Sequence, residues 1–286
     1  MKMSHIVPWM KCVVKTSRAD SKVRKYFDLP LRPYKVEFNP QISKQEKILN
    51  DKTTVVKEIG GNATKKGVTY PQVPQLYQAQ HEVVHVQHLL NNPSLKNIDE
   101  IYKDPDKRLL ATMALELIAN GFVSRDGVPE QWRVASYKSN KKIFEVSDEA
   151  INYFDSLAQK RENFENYTAL NEATDLEALK EAYWKTEEQA YSIGTEVGRW
   201  LFTDWTAEQP FSINVEVHEE KVEGTISYKT SSIDPTTRKA LLNDLFFRDY
   251  EEVAGYANAV YSQSLAPLLQ KGYEELSCKV KEKLKK

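Results

Sequence analysis

The sequence predicts a helix-rich α+β protein: a first part with a small sheet and a functional helix, then a mainly helical part holding one β-hairpin. Long segments with apolar residues at helical spacing fill the middle and the last third of the chain. Short β-rich runs cluster in the first seventy-five residues and recur once near residues 211–230. No fixed-period repeat and no low-complexity segment points to a solenoid or a disordered array.

The elements follow in order. Residues 10–15 (MKCVVK) and 34–38 (YKVEF) have β character. Residues 42–59 read as a polar-faced helix ended by Gly60 and Gly61. Residues 60–67 form a loop. Residues 68–74 (VTYPQVP) suit an edge strand, where Pro71 and Pro74 remove no needed ladder donor. Residues 75–92 read as a helix of about four turns, stopped by Asn91, Asn92 and Pro93.

Residues 104–123 form the next helix. Asp104 or Asp106 can cap it, and Gly121 can end it. Between Leu109 and Val123 it is almost wholly apolar, as in a buried helix. Residues 147–166 begin with a capping pattern and are amphipathic. Residues 174–205 form a long helix, bent near Gly194 and Gly198. Residues 211–230 alternate as a hairpin, and the chain is helical again from Asp234. A boundary near residue 170 divides the expected units into 1–170 and 171–286.

The chain has 286 residues, enough to bury a sizeable core. Forty basic residues meet forty-one acidic ones, so no strong field favours nucleic acid or an anionic membrane. Nothing approaches a bilayer-spanning run, and the first fifteen residues do not form a secretory signal. The two cysteines, Cys12 and Cys278, make no metal or disulfide framework. The expected compartment is cytoplasmic, including that of a host cell if the source is a phage or parasite. Oligomeric state is not legible.

Three of the five histidines lie in residues 80–89, QHEVVHVQHL. His81, Glu82 and His85 form H-E-x-x-H. On a helix, positions i and i+4 share a face one turn apart, so both imidazoles can reach one metal ion. The intervening Glu82 projects beside them, within reach of a water proton. Val83 and Val84 should face the core. His88 lies roughly 10 Å along the axis from His81, too far to join the same ion on an unbroken helix. It is expected at the rim of the site or in a polar contact.

A catalytic zinc needs a third protein ligand. His5 lies at the terminus, and His218 in the turn of the hairpin. Glu116 is the one charged residue in residues 109–123, LLATMALELIANGFV. A lone carboxylate among apolar neighbours is costly unless it is paired or binds a metal. Asn120, one turn on, can orient a ligand histidine through its other ring nitrogen. Glu187 and Glu188, on a more polar helix, are the rival ligands.

With HEVVH followed by ELIAN, the chain resembles the zincin metallopeptidases of the gluzincin type. The resemblance covers residues 81–120 and implies a zincin-like first domain. It implies that His81, His85 and Glu116 bind Zn2+ and that Glu82 is the general base acting on a peptide or protein substrate. An oxyanion-stabilising tyrosine has no certain counterpart; Tyr183 and Tyr191 are candidates. The competing expectation is a non-catalytic helical binding or assembly protein with a structural or vestigial metal site. A deformylase-like hydrolase, with Cys12 as third ligand, lacks the expected residues around that cysteine.

Overall fold

The computed structural model describes residues 5–48, 54–58, 60–124, 132–138, 187–202, 211–217, 221–228 and 233–268, with isolated positions 271, 275, 278 and 279. It is helix-rich and α+β. The first element is helix α1, Ile6–Phe27. Its buried residues Cys12, Thr16, Ala19, Val23 and Phe27 recur at helical spacing. This corrects the β expectation for residues 10–15. The β-branched pair Val13–Val14 is outweighed by a stripe that must face the core, and Val14 itself is half exposed. Asp28 ends the helix in the left-handed region, at φ 53°.

Strands β1 (Lys35–Phe38), β4 (Asn62–Thr64) and β5 (Gly67–Tyr70) make one sheet in the order β1-β5-β4. Strand β5 runs parallel to β1 and antiparallel to β4. The VTYPQVP stretch is therefore central rather than an edge. The ladder stops at Tyr70, so Pro71 never enters it. Gly67, at φ 148°, begins β5 where a Cβ would lie 2.0 Å from the Lys35 carbonyl oxygen. Only glycine fits there.

Between these strands, β2 (Lys44–Ile48) and β3 (Thr54–Glu58) pair antiparallel, with Lys44 opposite Glu58 and Ile48 opposite Thr54. The helix expected over residues 42–59 is thus, among the described residues, an antiparallel strand pair. Thr54, Val55 and Val56 form a β-branched run that favours a strand.

Helix α2 spans Leu76–Asn91 and stops before Pro93. A single turn α3 (Ile98–Ile101) leads to α4, Pro105–Ser124. Asp104 accepts the backbone N–H groups of Asp106 and Lys107. Gly121 does not end this helix. A Cβ there would meet the Phe202 ring at 2.6 Å, so the glycine serves close packing. Strand β6 (Trp132–Lys138), unassigned from the sequence, joins β7 (Phe211–Val217) and β8 (Lys221–Tyr228) in the order β6-β8-β7. The hairpin over 211–230 is present as β7 and β8.

Helix α5 spans Glu187–Phe202, α6 Pro235–Phe247 and α7 Tyr250–Val260, the last continued by a π turn over Tyr261–Leu265. One apolar core takes residues from α1, α2, α4, α5, α6 and α7. Phe27 stacks on Phe246 at 4.1 Å between ring centroids. Helices from either side of residue 170 thus share a core, while the boundary itself and the helix over 147–166 lie outside the described residues. A smaller cluster of Cys12, Val68, Tyr70 and Val86 seals the β1-β5-β4 sheet against α1 and α2. No helix among the described residues is long and apolar enough to cross a membrane.

Candidate metal centre

Helix α2 is buried on two sides: Ala79, Val83 and Val86 share one face, and His85 and His88 are buried on the opposite one, against Glu116 of α4 and Phe246 of α6. His81 and His85 sit one turn apart with their rings edge to face, centroids 4.5 Å apart. Their Nε2 atoms are 2.9 Å apart. Glu116 comes from α4, which packs against α2, and its carboxylate lies across both imidazoles. Oε2 is 3.6 Å from His81 Nε2, and Oε1 is 3.4 Å from His85 Nε2. One ligand atom from each of the three residues falls within 4.8 Å of the others. Two imidazole nitrogens and a carboxylate oxygen are the donor set that suits zinc, and three protein ligands leave a position open.

Glu116 is only 8 % exposed. Asn120, one turn later, donates to Glu116 Oε2 at 3.0 Å and stands 3.2 Å from Thr195 Oγ1 on α5. This corrects the expectation that Asn120 orients a histidine: it orients the carboxylate. The i,i+4 spacing on one helix brings amide to acid, whereas both histidines stand on another element. His85 Nδ1 is buried with no partner among the described residues.

The charges of the group are coupled. Burial opposes ionisation of Glu116, but His81, His85 and the Asn120 amide hold its pKa below the ordinary carboxylate value. Burial likewise opposes protonation of His85, yet the Glu116 carboxylate outweighs it and raises that imidazole above 6.5. His81 is lowered to about 4, first by burial, then by His85, with Arg199 adding to the effect. Without a metal, the Glu116 carboxylate thus favours a proton on His85, and His85 in turn favours ionised Glu116.

Glu82 is raised to about 7, mainly by burial, with Glu116 adding and His85 opposing. Its carboxylate presses on Gly61, the residue before β4. A Cβ at Gly61 would stand 2.7 Å from Glu82 Oε1. A glycine in GGN thus makes room for the acid, which the sequence pattern treats only as loop.

His88 is not at the rim. It is fully buried, tilted against Phe246 at 4.7 Å, with Nε2 3.2 Å from the Asn92 amide. It is the polar contact of the two expected alternatives. Glu187 and Glu188 occupy the first turn of α5, about 9–10.5 Å along the axis before Gly194, the residue that meets Glu116. Their side chains, Tyr183 and His218 lie outside the described residues. Tyr191 on α5 is 42 % exposed. His5 packs against Phe38, and Cys12 is buried with its thiol 4.0 Å from the Gln72 carbonyl.

Helix α5 runs unbroken through Gly194 and Gly198, and both glycines stand where it meets α4. A Cβ at Gly194 would lie 2.3 Å from the Met113 carbonyl oxygen and 3.0 Å from Glu116 Cβ, and one at Gly198 would lie 2.4 Å from the Leu117 carbonyl oxygen. The G-x-x-x-G spacing was the available signal: two small residues on one face let two helix backbones touch. Comparison with known proteins returns no matching family model, no matching curated protein and no matching solved structure.

Proposed function

We propose that the protein is a zinc-dependent metallopeptidase of the gluzincin type, with a zincin-like fold around α2 and α4. The observation that carries this is the convergence of His81, His85 and Glu116 from two helices, with Glu82 beside them. His81, His85 and Glu116 would hold the zinc, which when bound polarises the scissile carbonyl and acidifies water. Glu82 accepts the proton of the attacking water and returns it to the leaving amine. Burial raises Glu82 above the ordinary carboxylate range in the metal-free protein, which strengthens it as a base. Strand β4 ends its sheet, next to the Gly61–Glu82 contact. An extended substrate adding to that edge would pass the base.

A second reading has its own support. Glu116, His85, Asn120 and Thr195 already form a chain of polar contacts in the core, so the group could be structural in a non-catalytic helical assembly protein. Elemental analysis separates the two. The metallopeptidase should hold about one zinc per chain, in line with a single three-ligand site, and His81→Gln or Glu116→Gln should lose it. Glu82→Gln should keep the zinc and abolish hydrolysis of a mixed peptide library. A protein that takes up no zinc when it is supplied is the structural form. Undiminished hydrolysis by Glu82→Gln removes the assigned base.

A further inference from the structure

Helix α5 reaches the Glu116 side chain by two routes, through the consecutive residues Gly194 and Thr195. Gly194 packs so closely that a Cβ there would stand 3.0 Å from Glu116 Cβ. Thr195 is buried, and its Oγ1 lies 3.2 Å from the Asn120 amide nitrogen. That nitrogen is 3.0 Å from Glu116 Oε2. A chain of two hydrogen bonds thus joins α5 to the carboxylate that faces both histidines.

The Asn120 amide nitrogen meets three acceptors: Thr195 Oγ1, Glu116 Oε2 and, at 3.0 Å, the Glu116 carbonyl oxygen. Two of the three belong to Glu116 itself. The terminal torsion of an asparagine is soft. Bonded only to Glu116, the amide would move with the group it has to hold. Thr195 supplies the outside fixed point because it stands on another helix. The spacing of the two helices is set by backbone contact, since a Cβ at Gly194 or Gly198 would collide with the carbonyl oxygen of Met113 or Leu117. The branched threonine side chain adds little rotational freedom of its own. A ligand held in place from a rigid element gives up less freedom when the ion binds.

We infer that Thr195 is a positioning residue of the metal centre: its hydroxyl, through the Asn120 amide, holds Glu116 in the pose that binds the ion. This rests on the metal-centre reading above. The metal affinity of a site built on α2 and α4 then depends on a hydroxyl 75 residues beyond Asn120.

The test measures the zinc affinity of the full chain by competition with a chromophoric chelator, and the urea midpoint of the same proteins without metal. Thr195→Val removes the hydroxyl and keeps the branched shape; Thr195→Ser keeps the hydroxyl. The valine variant should bind zinc about fivefold more weakly, the effect of one neutral hydrogen bond. The serine variant should bind zinc as the unaltered chain does. Asn120→Ala should weaken zinc about tenfold or more. Adding Thr195→Val to Asn120→Ala should weaken it no further, because the connection is already cut. Thr195→Ala takes the place of the valine variant if that one does not fold. Unchanged zinc affinity without the hydroxyl, whatever the urea midpoint, overturns the role and leaves Thr195 as part of the core. An equal loss with and without the Asn120 amide overturns the route through Asn120. An unaltered chain that takes up no zinc is instead failure of the metal-centre reading, seen before any variant is made, and takes this inference with it.

Discussion

At the scale of single residues, the proton on His85 is the feature with the clearest consequence. Its pKa is raised because Glu116 faces it, so a metal must displace that proton to use the imidazole. Zinc uptake near pH 6.5 should release protons, from His85 and from Glu82, whose carboxyl is raised to about 7, measurable by calorimetry in buffers of different ionisation enthalpy. Affinity should fall as pH drops through the raised His85 pKa. His81, lowered to about 4, should contribute only at more acid pH. Glu116→Gln removes the charge that raises His85, so proton release near pH 6.5 should shrink together with affinity.

His88 supplies a residue-scale prediction about stability. Burial first, then His85, lowers it to about 3 from 6.5, against a smaller raising effect of the Phe246 backbone. Between those values the unfolded chain binds a proton that the folded chain refuses. Its contribution is therefore fully present above about pH 6.5 and is lost as pH falls toward 3. The urea midpoint should drop over that window, and His88→Gln should flatten the drop. An equally steep decline in the variant would assign the acid sensitivity elsewhere.

At the scale of elements, two joints position the centre. The first is the contact of α4 with α5. Because a Cβ at Gly194 or Gly198 would collide with a backbone carbonyl, neither helix can yield by a rotamer change. Gly194→Ala should cost about 1–3 kcal/mol by overpacking, and it should weaken zinc binding as well, since it also crowds Glu116. Gly198→Ala should cost a similar amount and disturb the metal less. Chemical denaturation and zinc titration on the same samples measure both effects.

The second joint is Asn92, just past α2. Its amide donates to the carbonyls of Phe246 and Arg248 at 2.9 and 2.8 Å, and its oxygen accepts from the Ser94 backbone. The amide closes the last carbonyls of α6, which the helix itself leaves without donors. Asn92→Ala should cost about 1–3 kcal/mol, seen as a lowered melting temperature without loss of zinc affinity. The sequence marks Asn92 as a helix stop. The two carbonyls it caps on Phe246 and Arg248 stand more than 150 residues away, beyond the range of any local pattern.

For the whole molecule, the sequence by itself determined the helix-rich α+β class, α2 with its two histidines on one face, α4 as a buried helix, and the β7–β8 hairpin. Each of these is written in a period of apolar residues or in a spacing within one element, and burial acts on that period directly. The carboxylate of Glu116 was conspicuous for the same reason, as a single charge in a run that had to be buried. Only the tertiary structure decided what faced what. It turned residues 10–15 into helix and the described part of residues 42–59 into an antiparallel strand pair, because a shared core and a partner strand outweigh weak local preference. It set Asn120 on Glu116, sent His88 to Phe246, and made Gly194 and Gly198 points of contact. Those outcomes depend on distances between residues on different elements, and only packing of the whole chain fixes such distances.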